Sequence, residues 1–107
     1  MDPDLDRVWR ALADPTRRAI LDLLREKPRT TTDIVERVPG MSRFGIMKHL
    51  SVLREAGLVQ TREEGRSVVN NLNVIPIRLI YERWVSDYQD LWARRFTGLK
   101  RSLEEPL

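Results

Sequence analysis

Pro39 and Gly40 separate two short stretches of helical periodicity, and a hairpin signal follows the second stretch almost at once. Upstream of the break, Ile34, Val35 and Val38 mark a short helix. Thr30 and Asp33 open it at capping-box spacing, with Asp in place of the usual Glu or Gln. Pro39-Gly40 stops it. Downstream, Ser42 is a good N-cap, Ile46, Leu50 and Leu53 recur at i, i+4 and i+7, and Gly57 is placed as the left-handed residue that ends the helix. Helices at 31–38 and 43–56 with Pro39-Gly40-Met41 between them have the form of a helix-turn-helix unit. Residues 58–63 and 66–72 read as two strands, with Glu64-Gly65 as a two-residue turn. Either feature alone is common. A hairpin, or wing, directly after the second helix is far more specific.

The rest of the chain completes one domain over residues 1–107, a length that can bury a modest core. Leu5, Val8, Trp9 and Leu12 form one face of a first helix. Asp14-Pro15 starts a second, with Ala19, Ile20, Leu23 and Leu24 as its apolar side and Pro28 just past its end. Pro76 opens a last helix over 77–103, about 40 Å long at 1.5 Å per residue. That is longer than so small a domain covers by itself. The expected fold is mainly α with a small β-hairpin, a winged helix-turn-helix in the order α-α-α-α-β-β-α.

Cysteine is absent, which excludes disulfides and thiolate metal sites and permits a reducing compartment. No apolar run approaches the ~18–20 residues of a membrane span. The start, Met1-Asp2-Pro3-Asp4-Leu5-Asp6, is acidic and lacks the basic-then-apolar layout of a signal peptide. A cytoplasmic protein with no membrane partner is the expectation. A net charge of +3 points only modestly to an anionic partner, so placement decides.

With Ile46, Leu50 and Leu53 turned inward, the opposite face of the fourth helix carries Phe44, Met47, Lys48 and Ser51, joined at its N-terminal end by Arg43 and Gly45. These residue types suit double-stranded DNA. Arg43 can pair bidentately with guanine, and Lys48 can meet a phosphate or guanine. Phe44 or Met47 can pack on a thymine methyl, and Ser42 with the first-turn N–H groups can hold a phosphate. Gly45 costs about 0.5–1 kcal/mol inside a helix, which close approach to DNA or a tolerated imperfection explains equally well. On the wing, Arg62 and Arg66 suit phosphates or the minor groove, while Glu63 and Glu64 at the expected tip would repel a phosphate backbone. Taken alone, Arg43 and Lys48 would be a solvated face; within a winged helix they read as DNA-binding. His49 flanks the apolar stripe and reads as a packed, hydrogen-bonded histidine before a metal ligand.

Five of the seven aromatics (Tyr81, Trp84, Tyr88, Trp92 and Phe96) lie at helical spacing on the last helix. Some must be core. The surplus is best buried against a second copy, with Leu5, Trp9 and Leu12 helping, which makes a homodimer the expectation. A pocket for a small apolar effector at that interface stays open. Arg94-Arg95 and Lys100-Arg101 read as a solvated helix end. No nucleophile elbow, phosphate-cradling glycine loop or HExxH is present, and Glu63-Glu64 and Glu104-Glu105 lie in a turn and a tail. Neither an enzyme nor a cofactor is expected.

Residues 11–24, ALADPTRRAILDLL, and 47–59, MKHLSVLREAGLV, together with Gly65-Arg66, resemble ArsR/SmtB-type winged-helix repressors, over roughly residues 8–73. The resemblance implies dimeric repressors that dock the fourth helix in the major groove and dimerise through the first and last helices. Two such helices would sit about 34–36 Å apart on a pseudo-palindrome. Metal-sensing relatives use cysteines on the third helix, where this chain has Thr31-Thr32-Asp33-Ile34-Val35-Glu36, or carboxylates with histidines on the last, where it has Glu82, Asp87 and Asp90 and no histidine. No metal sensing is expected. A winged helix used as a protein-interaction or assembly module is the rival from another class, kept open by the acidic wing tip and the modest net charge.

Overall fold

The structure, a computed structural model, describes residues 5–104. The acidic start through Asp4, the side chains of Lys100, Arg101, Ser102 and Glu104, and residues 105–107 lie outside what is described, so the Glu104-Glu105 pair falls there. The chain divides after Ile77 into two compact units. Its elements are α1 (Leu5–Leu12), α2 (Pro15–Glu26), β1 (Arg29–Thr30), α3 (Thr31–Arg37), α4 (Arg43–Glu55), β2 (Val59–Glu64), β3 (Ser67–Leu72), α5 (Ile75–Ile80), a π-helical turn at Tyr81–Val85, and α6 (Ser86–Glu104). Among the described residues, no helix is long and apolar enough to cross a membrane.

In the first unit, α1, α2 and α4 pack on one another, and α3 and the sheet close the core. Ile46, Leu50 and Leu53 of α4 are buried, as their spacing predicts. With Ile20, Ile34 and Leu58 they are the largest apolar side chains fully removed from water, each stabilising the fold by roughly 1.5–3 kcal/mol. On α1 the buried pair is Val8 and Ala11, while Trp9 is exposed and Leu5 and Leu12 are half-buried. On α2 the buried face is Ile20, Leu21 and Leu24, with Ala19 outside and Leu23 half-buried. α2 packs on α1, α4 and β3, and that three-sided contact turns Leu21 rather than Ala19 inward.

The helix ends are closed by side chains. Asp14 accepts from the backbone N–H groups of Thr16 and Arg17, at 2.8 and 3.1 Å, and this pair lowers its pKa below the ordinary aspartate value. Arg17 and Arg18 reach back to the last carbonyls of α1: Arg17 Nε to Ala11 O at 2.8 Å, Arg17 Nη2 to Arg10 O at 2.8 Å, and Arg18 Nη1 to Leu12 O at 2.7 Å. Ser42 caps α4 through Gly45 N–H, and Gly57, at φ 77°, follows its end. Asn73 then stitches the exit of β3 to that end, donating to Gly57 O at 2.8 Å and accepting from Ile75 N–H at 3.3 Å where α5 begins.

The expected capping box, hairpin turn and last helix also differ in the structure. The expected capping box at Thr30 is half made: Thr30 accepts from Asp33 N–H at 3.0 Å, but the Asp33 carboxylate turns to Arg29 and Arg37. The hairpin turn is Gly65-Arg66 rather than Glu64-Gly65, because Glu64 still pairs with Ser67. Gly65, at φ 60°, supplies the positive φ that the first turn position of a type II′ hairpin requires. The last helix begins at Ile75 and is interrupted, with Ser86 N–H donating to Tyr81 O five residues back.

An unforeseen strand, β1, completes a sheet of order β1-β3-β2, pairing Arg29 with Asn70 and Thr30 with Val69. Arg29 is 4% exposed. Its Nη1 holds Asp33 at 2.9 Å, its Nη2 holds Glu26 at 2.7 Å, and its Nε donates to Leu23 O at 3.1 Å. The Arg29 guanidinium, then that of Arg37, holds the Asp33 carboxyl below its ordinary value of 3.8. A depressed carboxyl stabilises the fold above its unfolded pKa and loses that contribution as pH falls through the folded value. Asp33→Asn is therefore expected to be less stable than the parent at pH 7, with the gap closing below about pH 4. Urea unfolding across this range checks it; a gap independent of pH refutes the role.

Candidate nucleic-acid interface

With its aliphatic stripe buried, α4 turns Arg43, Phe44, Met47 and Lys48 to solvent; Phe44 is 69% and Met47 51% exposed. Ser42 at the cap is exposed, and Ser51 is half-buried at the edge of this face. The Lys48 ammonium lies 5.0 Å from the Phe44 ring centroid, so the ring carries the cation across one turn of helix. Arg43 Nη1 donates to Thr32 Oγ1 at 3.2 Å, which tethers the first residue of α4 to α3.

Gly45 has a flexible neighbour inside the chain, the Met41 side chain. A Cβ built there would sit 2.7 Å from Met41 Sδ and 3.2 Å from its Cγ. The methionine of the turn occupies the space a side chain would need.

His49, on the flank of α4 that meets α2, is half-buried, with Nδ1 3.3 Å from Arg17 Nη1. An arginine only donates, so in this contact Nδ1 is the acceptor. This is the packed, hydrogen-bonded histidine that the sequence indicates.

The wing is basic at its tip. With the turn at Gly65-Arg66, Arg66 stands at the end of the hairpin, and Glu63 and Glu64 fall back into β2 opposite Val68 and Ser67. Arg62 is occupied along the strand, donating to Asn71 Oδ1 at 3.4 Å and lying 3.7 Å from Glu64. One wing carboxylate is thereby partly neutralised within the wing. The register therefore puts Arg66 rather than the two acids in the turn, and Glu63 stays exposed on β2.

Between the start of α3, the start of α4 and the start of β3 lies a cleft of about 130 Å³, bordered by Thr31, Thr32, Arg43, Arg66 and Ser67 over Met47 and Val68. Sequence reasoning treats the threonine run only as caps and misses Thr32 and Ser67. The available signal is the hydroxyl run that caps and opens α3 and the serine that follows Arg66.

In the second unit, Tyr81, Trp84, Tyr88, Trp92 and Phe96 are all exposed, and Leu91 and Leu99 extend the apolar stripe. Tyr88 and Trp92 meet edge to face at 6.0 Å, and the Arg83 guanidinium lies 5.7 Å from the Trp84 ring. The Tyr81 hydroxyl donates to Gln89. Among the described residues, no group of three or more His, Asp or Glu side chains is placed to hold a metal ion.

A model of the helix-turn-helix domain family matches residues 12–62. An HTH-type transcriptional regulator of Mycobacterium tuberculosis is 36% identical over 99 residues, covering 92% of this chain and 88% of that protein. The transcriptional repressor SdpR of Bacillus subtilis is 36% identical over 69 residues, covering 64% of this chain and 76% of that protein. Among solved structures, an ArsR family transcriptional regulator superposes with a TM-score of 0.73 at 32% identity, covering 83% of this chain and 96% of that one. An ArsR-like transcriptional regulator from a Rhodococcus species gives 0.72 at 29% identity, covering 96% and 93%.

The Met41–Gly45 contact makes a prediction by double-mutant cycle. Gly45→Ala in a Met41→Ala background is expected to gain about 1 kcal/mol of stability from helix propensity, and measurably less when Met41 is present. Thermal unfolding of the four proteins measures the coupling, and additive effects would show that Met41 does not set the glycine.

Proposed function

The chain belongs to the ArsR family of winged helix-turn-helix transcriptional regulators, and from that membership we propose that it is a homodimeric repressor whose two α4 helices enter successive major-groove faces of a pseudo-palindromic operator. Binding to DNA and regulation of transcription, rather than catalysis, come with the family. The observation that carries the finer reading is the two-sidedness of α4. Its aliphatic side is anchored in the core, and its opposite side presents exposed apolar and cationic groups that the packing of the first unit does not use.

In this reading Phe44 and Met47 meet thymine methyls, and Lys48, steadied on Phe44, meets guanine or phosphate. Ser42 and the first-turn N–H groups sit at a phosphate, Arg43 pairs with guanine, Ser51 allows close approach, and Arg66 supplies charge, with Arg62 partly offset by Glu64. The whole chain acts as one domain, with residues 77–103 as the dimerisation helix. Tyr81, Trp84, Tyr88, Trp92 and Phe96 are buried there against the second copy, together with Leu5, Trp9 and Leu12. Exposure of so many large rings on one element supports this, because single chains rarely leave apolar patches of that extent in water.

One relative is a probable mercury resistance operon repressor of Streptomyces lividans. This chain is proposed not to sense such metals, on ligand chemistry: it has no cysteine and a single histidine, already paired with Arg17.

Two measurements test the proposal. If a dimer makes about 6–10 phosphate contacts, its affinity for a selected operator should fall by roughly 10³–10⁵ between 50 and 200 mM salt. A flat salt response refutes it. Trp92→Glu should leave a folded monomer by sedimentation, with operator affinity reduced to that of one half-site. A variant that stays dimeric removes the assigned interface.

A further inference from the structure

The cleft between α3, α4 and the wing is short of an anion. Its border holds two guanidinium-bearing side chains, Arg43 and Arg66, and none of its lining residues is acidic. The nearest carboxylates in sequence are engaged elsewhere, Asp33 by Arg29 and Arg37, and Glu64 by Arg62. The hydroxyls around it are also set to donate. Thr31 Oγ1 accepts from Asn70 Nδ2 at 3.1 Å, and Thr32 Oγ1 accepts from Arg43 at 3.2 Å, so both retain an O–H with which to donate. Ser67 adds a third hydroxyl. A recess with two permanent cations and a surplus of donors matches a tetrahedral oxyanion, which offers acceptors only.

We propose that this cleft grips one backbone phosphate of the operator, with Arg43 from α4 and Arg66 from the wing acting as a single clamp and Thr32 holding Arg43 in place. The assignment rests on the DNA-binding reading above and changes one part of it. In place of the guanine contact expected from its position at the start of α4, Arg43 is turned toward α3 by Thr32 and shares its recess with the wing. Arg43 then contributes affinity without sequence information, and base reading falls to Phe44, Met47 and Lys48. The clamp also gives the wing a role, since the turn at Gly65 brings Arg66 to the cleft rather than to a groove of its own.

Phosphate chemistry has two sources here, the DNA strand and free inorganic phosphate, and the position between recognition helix and wing favours the strand. The test uses Arg43→Gln, Arg66→Gln and the double variant, each checked by circular dichroism. Affinities are measured across a salt series on a selected operator and on random duplex. Each single variant should weaken both duplexes by the same factor and reduce the slope of log affinity against log salt by about 0.9 per protomer. The double variant should lose no more slope than either single. A neutral methylphosphonate at one position of each half-site should cost the parent as much affinity as the double substitution, and cost the double variant nothing further.

Changed ranking of operator variants by Arg43→Gln at constant slope would make Arg43 a base reader and overturn the clamp. Additive slope losses would overturn it as well, by assigning two separate phosphates. Competition by inorganic phosphate at constant ionic strength, abolished in the double variant with no change in its DNA salt slope, would assign the cleft to the free anion. Failure of the parent to bind any duplex at low salt would instead remove the DNA-binding reading on which the proposal stands.

Discussion

The arrangement of the first unit depends on a buried guanidinium. Arg29 sits where the end of α2, the start of α3 and the root of the wing meet, and it bonds to all three. Its side chain holds Glu26 and Leu23 O on α2 and Asp33 on α3. Its backbone pairs with Asn70 of β3, and its carbonyl accepts from the Asn70 side chain at 3.2 Å. Asn70, fully buried, passes the link on to Thr31. A charge so far from water is tolerable only with its partners in place, so the positions of those partners are fixed together. Replacing buried ion pairs by apolar residues is often neutral or stabilising, and the contribution of this cluster is therefore better read as orientation than as net stability.

The caps and ion pairs of the fold itself limit which cations remain for DNA. The chain has 19 lysines and arginines against 16 acids. Arg17 and Arg18 close the end of α1, and Arg29 and Arg37 bind Asp33. Their charges are spent on carbonyls and carboxylates of the fold itself. Arg43 meets a hydroxyl and Lys48 an aromatic ring rather than an acid, and Arg66 borders a cleft whose lining holds no acid. A net charge of +3 conceals this division, because surface potential depends on where unneutralised charge is held. The wing follows the same rule. Arg62 and Glu64 offset one another along β2, and the uncompensated cation is at the turn.

Features carried by a single residue type at a single position were legible in the sequence. Asp14, Ser42 and Gly57 each act through their own backbone neighbourhood, and the buried stripe of α4 follows from spacing alone. Features that depend on a distant partner were not. A two-residue strand such as β1 has no alternation to detect, and it exists because Asn70, far along the chain, lies opposite Arg29. The hairpin register shows the same limit. Glu64-Gly65 and Gly65-Arg66 both place a glycine in a two-residue turn, and pairing of Val59 with Leu72 at the far end selects the second. Thr32 was invisible as a site residue because its partner, Arg43, is on the next helix.

The π-helical turn at Tyr81–Val85 shows why the aromatic face in particular resists reading from spacing. No proline or glycine marks it, and an i, i+3, i+4 pattern assumes a constant angle per residue. A wider turn delays the rotation, so rings within it and after it do not keep the phase that an uninterrupted helix would give. Within the second unit, Tyr81 donates across this turn to Gln89, and Trp84 within the turn lies under Arg83. Tyr88 and Trp92, both beyond it in regular α-helix, are the pair that meet edge to face. The contact between rings one turn apart is therefore set in α6, where the regular period resumes, and the aromatics before Ser86 are directed by the irregular turn. A partner surface complementary to this unit has to match two successive phases of one helix, which is a narrower requirement than a single apolar stripe would impose.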